Sequence, residues 1–260
     1  MTNIAITNHD SGVLLLHQGS TDIMNILGLI TYYSTKYHKL YIFIKKHETL
    51  LKFYCKNLNI EIIAFEEKYD CVIYSYVMQN YTSIMNNSDH LFHGFHDIHR
   101  KENDNYKDVY QKIWRNNQEH FVNLFYCCYN IPIRVRIDSF IFERDHELEN
   151  RTYDNFIQAH GDKYILYHFN EPFMKYDIDK DDTYINLNQC SETFFDYIKI
   201  LENAKEFHLL DSSWGAFIYL LDCKYRLFKD KTIYLYPLRN HIKMFQDPVK
   251  LDNWIFVEHS

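Results

Sequence analysis

The first part of the chain alternates between short, uninterrupted apolar runs and stretches of helical periodicity. The apolar runs cover residues 12–17 (GVLLLH), 39–44 (KLYIFI) and 60–65. An apolar run of this length is typical of a strand that is buried on both faces of a parallel sheet. Between the runs, residues 23–37 place apolar side chains on one helical face, and residues 48–57 predict a second helix. This order of strands and helices predicts a doubly wound α/β sheet.

The rest of the chain is less regular in the middle, and the rhythm then restarts. Further strands are predicted over residues 71–76, 91–95, 133–142, 164–169, 184–187, 206–210 and 232–236. Helices are predicted over residues 106–114, 119–129, 145–159, 193–203 and 214–222. The tail from residue 241 predicts a final helix or a segment that crosses back over the first half. Because the charged run ERDHELENR separates the two stretches, two domains are predicted, residues 1–145 and 146–260.

Charge and cysteine usage restrict the class of protein. The formal net charge is −7, and acidic and basic residues are interleaved, so no basic stripe could neutralise a row of phosphates in a nucleic acid. The N-terminal residues lack the basic region and the long apolar region of a signal peptide, and no apolar run approaches the ~20 residues that span a bilayer. The six cysteines lack CxxC spacing, as in reduced cytosolic proteins. We therefore expect a cytoplasmic protein with no membrane span and no nucleic-acid partner.

The aromatic content carries no functional weight in this sequence. The chain has 23 Tyr and 19 Phe but only 6 Gly and 4 Pro. This bias is typical of AT-rich coding, as in some large DNA viruses and low-GC microbes.

The first motif that carries chemistry follows the first predicted strand, in LLLHQGSTD. Ligands of open α/β sheets bind beyond the carboxyl ends of the strands, where this turn lies. Gly19 allows close approach to the backbone, and the following helix offers free N–H groups. Asp22 has two compatible interpretations, as a cap of the first helical turn or as a base that takes a proton from a hydroxyl group.

The second motif is EFHLLDSSWG, in which an apolar strand runs into Asp211, Ser212 and Ser213 and a helix begins at once. Two hydroxyl groups and several free N–H groups at a helix N-terminus suit an anion such as a diphosphate. The alternative interpretation is simple N-capping by Ser212 or Asp211.

Together, the two motifs resemble those of GT-B glycosyltransferases of the heptosyltransferase-like kind. The closest match is ILENAKEFHLLDSSWGAFIYLLD, with weaker support from GSTDIMNILGLITYYSTKY. The layout of most of the chain resembles this family, although the specific motifs cover only a small part of it. The resemblance implies an α/β fold of two Rossmann-like domains that face each other across a cleft. The first domain would hold the acceptor and the second the nucleotide-sugar donor.

In the first domain the resemblance implies that Asp22 is the carboxylate that activates the acceptor hydroxyl. His17, Gly19 and Asn25 would line the same turn. Here the chain departs from the family pattern, because Ser and Thr precede Asp22 where a second glycine is usual.

In the second domain the resemblance implies that Ser212 and Ser213 bind the phosphates of the donor, and that Asp211 shapes the turn or touches the sugar. His168 would lie near the donor, and Asn188 would face the nucleotide. The basic pair that the family pattern places after strand 164–169 is absent from the sequence.

The reaction that the resemblance implies needs no metal and no cofactor besides the nucleotide-sugar co-substrate. Helix dipoles and polar side chains stabilise the leaving diphosphate in enzymes of this kind. Asp22 would deprotonate an acceptor hydroxyl on a glycan or another molecule. The hydroxyl oxygen would attack the anomeric carbon of the donor sugar at the same time, which inverts the configuration at that carbon.

Two other clusters invite a metal interpretation. His90, His93, His96 and His99 recur at every third residue, and a zinc site is one interpretation. Spacing by three on a strand turns alternate side chains to opposite faces, which disfavours a metal site. With 15 histidines in the chain, clustering by chance is one explanation, and the lining of a cleft by His93 or His96 is another. The acidic run 177–182 lacks the glycine and terminal glutamate of a calcium loop, and predicts a solvated loop.

Two further functions stay open beside the glycosyltransferase. One is a non-catalytic relative that keeps the two-domain shell as a glycan-binding or assembly module. The other is a Rossmann-type enzyme that acts on a nucleotide or a phosphosugar. Hydrolase, NTPase and dehydrogenase functions are disfavoured, because the G-x-S-x-G, Walker A and G-x-G-x-x-G motifs are missing.

Overall fold

The computed structural model describes residues 9–16, 19–66, 73–92, 122–127, 129–169, 180–187, 193–237, 245 and 249–257. The chain divides into two compact units, Met1–Ile141 and Phe142–Ser260. The division falls at the start of the charged run in which the sequence places its boundary, residue 145.

Among the described residues, the first unit contains a sheet of four parallel strands in the order β3–β2–β1–β4. These strands are β1 (Ser11–Leu16), β2 (Lys39–Ile44), β3 (Ile60–Ala64) and β4 (Asp89–Phe92). The chain steps outward from β1 to β3 and then returns to the other side of β1. The strand order therefore reverses between β1 and β4, which leaves a crevice at the carboxyl end of a parallel sheet.

Each helix that the structure describes in the first unit buries apolar side chains. These helices are α1 (Ser20–Ser34), α2 (Glu48–Tyr54), α3 (Ile73–Asn80), α4 (Thr82–Asn86), α5 (Val122–Cys127) and α6 (Val135–Asp138). Helix α6 packs directly on α1 at Gly28, where a Cβ atom would collide with the carbonyl oxygen of Arg136. The absence of a side chain at residue 28 therefore sets how closely the two helices approach.

The strand predicted over residues 71–76 is wrong, because the described part of this segment begins helix α3. Its two buried apolar residues, Ile73 and Val77, are four apart, and both join a core cluster with Val13 and Phe43. A strand would bury residue 75 on the same face as these two, whereas Ser75 is exposed, so the burial follows one face of a helix. The fourth strand of the sheet is β4 instead, which overlaps the strand predicted over residues 91–95.

The strand predicted over residues 133–142 is also wrong. The segment forms a turn and the short helix α6, and its buried residues are Arg136, Ile137 and Phe140. Burial at these spacings follows a helix, although the apolar side chains alternate in the sequence. Packing against α1 decides the conformation here, and it overrides the local pattern.

The described part of the second unit contains five parallel strands in the order β6–β5–β7–β8–β9. They are β5 (Ile165–His168), β6 (Tyr184–Asn186), β7 (Glu206–Leu210), β8 (Thr232–Tyr236) and β9 (Trp254–Phe256). Strand β9 lies in the C-terminal tail and pairs with β8, so this part of the tail extends the second sheet. Here the strand order reverses between β5 and β7.

The helices in the described part of the second unit are α7 (His146–His160), α8 (Ile198–Asn203) and α9 (Ser213–Tyr225), and a 3-10 turn (Phe195–Tyr197) leads into α8. Helix α7 begins where the sequence predicts, because the Asp145 carboxylate accepts a hydrogen bond from the Leu148 N–H at 3.0 Å. Helix α9 is buried on all sides along most of its length, which explains its nearly continuous apolar sequence.

The prediction of an α/β protein built on parallel sheets is confirmed by both units. Among the residues that the structure describes, no helix is both long enough and apolar enough to cross a bilayer.

Candidate functional site

His168 and Ser212 meet at the point where the strand order of the second sheet reverses. His168 is the last residue of β5, and Ser212 follows the neighbouring strand β7 after a single intervening residue, Asp211. The Ser212 hydroxyl oxygen lies 2.8 Å from Nδ1 of His168. The structure thus brings together two residues that the sequence places in separate motifs. It does so at the edge where open α/β sheets bind ligands.

Ser212 caps helix α9. Its hydroxyl oxygen accepts a hydrogen bond from the Gly215 N–H at 3.5 Å, and its carbonyl oxygen accepts one from the Ala216 N–H at 2.8 Å. The residue is only 5% exposed. The capping alternative for Ser212 is therefore confirmed, and its hydroxyl is shared between the helix and His168.

Ser213 differs from Ser212 in its surroundings. It is the first residue of α9 and is half-buried. Its hydroxyl makes no hydrogen bond to another residue in the described part of the chain, and the first N–H groups of a helix lack intrahelical acceptors. Of the two serines, Ser213 has the hydroxyl that is available to a ligand. Asp211, also half-buried, precedes both.

Burial lowers the pKa of His168 to about 4. Desolvation disfavours the charged imidazolium, so the side chain is neutral at pH 7. A neutral imidazole carries one N–H donor and one acceptor nitrogen, and the Ser212 hydroxyl is in contact with one of the two.

Gly215 is a further residue of this site, and the sequence motif includes it without assigning it a role. A Cβ atom at residue 215 would collide with the carbonyl oxygen of Leu210, the last residue of β7. Only glycine therefore permits the tight passage from β7 into α9. The glycine two residues after the serine pair, at the second position of the predicted helix, is the sequence signal that points to it.

A hydrogen-bonded chain along the face of the same sheet was not predicted. His208 in β7 lies 2.9 Å from a Glu206 carboxylate oxygen through Nε2, and 2.8 Å from the Tyr236 hydroxyl through Nδ1. Its ring stacks on Tyr234 at a centroid distance of 4.8 Å. Tyr236 ends β8, so the chain reaches the carboxyl edge of the sheet. Polar residues at alternate positions of β7 are the signal in the sequence.

The turn before α1 occupies the corresponding edge of the first sheet. Gly19 is the N-cap residue, and its backbone is extended, with φ −73° and ψ 171°. A Cβ atom there would meet no described atom within 4 Å. The fold of the described residues does not require glycine at this position, and the backbone at the start of α1 is open to close approach.

Asp22 is the third residue of α1 and is half-buried. The helix begins three residues before the predicted start at Ile23, so Asp22 is not the N-cap. Its N–H donates to the Gly19 carbonyl at 3.1 Å. A carboxylate in the first turn interacts favourably with the helix dipole.

Asn25 lies further along α1 and is fully buried. Its side-chain amide donates to the Thr21 carbonyl at 2.8 Å, and its own carbonyl accepts from the Tyr126 hydroxyl at 2.6 Å. The structure therefore places Asn25 in the core of the first unit rather than on the turn. His17 and Asn188, which the resemblance also implies, lie outside the described residues.

The histidine cluster is described at one position only. His90 belongs to β4, and its Nε2 lies 2.8 Å from the Met85 carbonyl oxygen. His93, His96 and His99 lie outside the described residues. Within the described ranges, no three histidine, cysteine or carboxylate side chains are grouped as metal ligands.

Similar proteins were found among solved structures. No protein-family model and no curated protein sequence matches the chain. The crystal structure of the glycosyl transferase family 9 protein from Veillonella parvula DSM 2008 covers 97% of this chain and 88% of its own, with a TM-score of 0.60 and 9% identity. The E. coli heptosyltransferase WaaC with ADP-2-deoxy-2-fluoro heptose covers 96% of this chain and 93% of its own, with a TM-score of 0.46 and 8% identity. At such low identity, the Veillonella protein shows a common fold.

Proposed function

We propose that this protein is a glycosyltransferase that moves a sugar from a nucleotide-sugar donor to a hydroxyl group of a glycan or another acceptor. Its fold is that of a glycosyl transferase family 9 structure along nearly the whole chain. The observation that carries the proposal is the contact between His168 and Ser212 at 2.8 Å. It gathers a helix N-terminus, a neutral imidazole and a serine pair at the edge of the second sheet where ligands of such folds bind.

In our proposal the second unit binds the diphosphate of the donor at the N-terminus of α9. The hydroxyl of Ser213 and the first N–H groups of the helix donate to phosphate oxygens, and the helix dipole favours their negative charge. Ser212 holds the start of the helix in place, and Asp211 shapes the turn or touches the sugar. These groups stabilise the leaving diphosphate without a metal ion.

The first unit, in this proposal, holds the acceptor beside α1. The Asp22 carboxylate takes the proton of the acceptor hydroxyl, and the hydroxyl oxygen attacks the anomeric carbon of the donor sugar. The bond from the anomeric carbon to the diphosphate oxygen breaks, and the diphosphate leaves with the electron pair. A single displacement of this kind inverts the anomeric centre. The open backbone at Gly19 supports close approach of a substrate to this turn.

The first test is a thermal-shift screen of the full chain against UDP, GDP, ADP and CMP and their common sugar conjugates, each with and without EDTA. We expect one nucleotide to raise the melting temperature by several degrees, because a ligand that binds only the folded state stabilises it. The shift should be the same in EDTA. A shift that EDTA removes would contradict the metal-independent mechanism and return attention to the histidine cluster.

The two other functions predict different results. A glycan-binding or assembly module would show no shift with any nucleotide or sugar conjugate, and that result would overturn the proposal. An enzyme that acts on a nucleotide or phosphosugar would be stabilised by a nucleotide. It would then convert that ligand without transferring a sugar to acceptor, which mass spectrometry of the products distinguishes.

A further inference from the structure

The protonation state of His168 follows from the hydrogen bonds of its neighbour, Ser212. A serine hydroxyl has one proton to donate and two lone pairs that accept. One lone pair of Ser212 faces the Gly215 N–H, the cap contact of α9, at a long distance of 3.5 Å. Two acceptors compete for the hydroxyl proton, Nδ1 of His168 at 2.8 Å and the Leu210 carbonyl oxygen at 3.4 Å.

The distances decide between the two arrangements. If Nδ1 carried a proton, it would donate to the Ser212 oxygen, and the hydroxyl proton would have to go to the Leu210 carbonyl. A separation of 3.4 Å exceeds the range of 2.5–3.0 Å that O–H···O bonds adopt. The contact to Nδ1, at 2.8 Å, is a favourable hydrogen bond. The Ser212 hydroxyl therefore donates to Nδ1, and Nδ1 carries no proton.

The single proton of the neutral ring then resides on Nε2. Burial lowers the pKa of His168 to about 4, so the doubly protonated form is not populated at pH 7. No other residue in the described part of the chain accepts a hydrogen bond from Nε2, and a minor part of the mostly buried side chain stays exposed. The Nε2 N–H group is thus a donor at the carboxyl edge of β5. The other nitrogen of the same ring is hydrogen-bonded to Ser212, the N-cap residue of α9.

We infer that His168 is a substrate-binding donor and not a base: through its Nε2 N–H it recognises an acceptor oxygen of the ligand. The identity of that ligand rests on the proposed function, in which it is a diphosphate oxygen of the donor. The nitrogen that could take a proton, Nδ1, is occupied by Ser212. His168 thereby adds a neutral, fixed donor to the N–H groups of α9, in a chain that lacks a basic pair after β5.

The first experiment reads the tautomer directly. Long-range 1H–15N correlation spectra of the uniformly 15N-labelled full chain at pH 7 distinguish a protonated ring nitrogen from an unprotonated one, and His168→Asn assigns the His168 signals by their loss. We expect a neutral ring with its proton on Nε2. A proton on Nδ1, or a doubly protonated ring, would overturn the inference. In Ser212→Ala the preference for Nε2 should weaken, because Nδ1 loses its donor.

The second experiment separates the two ends of the ring by substitution. The side-chain oxygen of His168→Asn can stand near the position of Nδ1 and accept from Ser212, whereas the amide N–H of His168→Gln can reach the position of Nε2. Inorganic pyrophosphate is the probe, and isothermal titration calorimetry is the measurement. We expect His168→Asn to bind pyrophosphate about tenfold more weakly than the wild type, and His168→Gln to recover much of that loss.

The two experiments fail in different ways. If His168 has its proton on Nε2 and the wild type does not bind pyrophosphate, the diphosphate is overturned as the ligand, and the proposed function is weakened with it. If the wild type binds pyrophosphate and the proton lies on Nδ1, the role of His168 is overturned while the proposed function stands. Equal affinities of the Asn and Gln variants and the wild type would also overturn the role of His168.

Discussion

The hydroxyl oxygen of Ser212 lies 2.8 Å from Nδ1 of His168, so the cap of helix α9 and the last residue of β5 form one hydrogen-bonded unit. The two residues belong to adjacent strands of the second sheet at the position where the strand order reverses. Any change that charges or removes the imidazole therefore acts on the start of the helix as well.

We expect His168 to make the protein lose stability as the pH falls from about 7 to 4. Its pKa is lowered to about 4 in the folded protein, whereas an unfolded histidine titrates near the ordinary value of about 6.5. The unfolded state therefore binds a proton first, and the folded state is disfavoured progressively between the two values. Above about pH 7 the effect is absent, and below pH 4 it reaches about 3 kcal/mol.

Urea denaturation of the wild type and of His168→Asn at pH 7, 5.5 and 4.5 measures this contribution. Carboxylates contribute equally to both proteins, so the difference between their unfolding free energies isolates His168. We expect the wild type to lose more stability than the variant on acidification. Unfolding free energies of the two proteins that change in parallel over this pH range would show that the folded protein does not hold His168 in its neutral form.

Alanine substitutions at the two serines of the motif should have different effects, one on the stability of the protein and the other on ligand binding. Ser212→Ala removes the cap of α9 and the partner of His168, and should lower the free energy of unfolding by about 1–2 kcal/mol. Ser213→Ala should change it by less than about 0.5 kcal/mol and should weaken the binding of the nucleotide found in the thermal-shift screen. Denaturation and calorimetry on the two variants test this, and the reverse assignment would contradict the geometry of the site.

Substitution by alanine should affect the stability of the protein differently at three of its glycines. Gly28→Ala and Gly215→Ala each bring a methyl group against a backbone carbonyl that cannot move aside, and should destabilise by about 1–3 kcal/mol. Gly19→Ala meets no described atom and should fold with nearly unchanged stability. Thermal melts of the three variants provide the comparison. A destabilised Gly19→Ala protein would mean that this turn is held by the fold rather than left open to a substrate.

Asp22→Asn should abolish sugar transfer and leave donor binding intact if Asp22 is the base. The amide has almost the same shape as the carboxylate but cannot take the proton of the acceptor hydroxyl. A suitable control is Glu48→Gln, which neutralises a carboxylate in the first turn of α2 and should leave transfer unchanged. Transfer is measured by release of the nucleoside diphosphate, and affinity by calorimetry. Retained transfer in Asp22→Asn would exclude its role as the base.

Arg144 should be important for the stability of the second unit. Its guanidinium contacts both carboxylate oxygens of Glu149 at 2.5–3.1 Å and those of Glu202 at 2.7 and 2.8 Å. The Glu149 side chain is only 2% exposed, so Arg144→Ala would leave a buried carboxylate without its partner. We expect Arg144→Ala to lower the free energy of unfolding by about 2–3 kcal/mol. The lost pair with Glu202 contributes the smaller part, because Glu202 is more exposed than Glu149.

Arg134→Ala is the matched control for that prediction. Arg134 pairs with Asp138 on the surface of α6, where both side chains are largely exposed, and its loss should cost less than about 0.5 kcal/mol. Equal losses in the two arginine variants would contradict the role assigned to burial at Glu149.

Most strands could be predicted from the sequence, because a strand that is buried on both faces needs a continuous run of apolar residues. Strands β2, β7 and β8 have the predicted bounds, and β5 lies within the predicted range. A parallel sheet needs such runs wherever it is covered on both sides. The class of fold, and the strand-to-helix passages near which the serine pair and Asp22 lie, therefore follow from the amino-acid sequence alone.

The segments that depend on a distant partner could not be predicted in this way. Residues 133–142 alternate like a strand, yet they form helix α6, because Gly28 of α1 offers a surface on which a helix packs closely. The same holds for Ile73 and Val77, whose burial depends on the core cluster that they join. Local periodicity decides an element only when no tertiary contact competes with it.

The composition of the site was decided by the tertiary structure. The sequence determined that a strand ends at His168 and that another runs into Asp211, Ser212 and Ser213. The order β6–β5–β7 made those strands neighbours, and so placed His168 against a serine 44 residues away. Ser212 caps α9 and contacts His168, which leaves the Ser213 hydroxyl for a ligand. Strand order depends on the packing of whole elements, which no local pattern of residues contains.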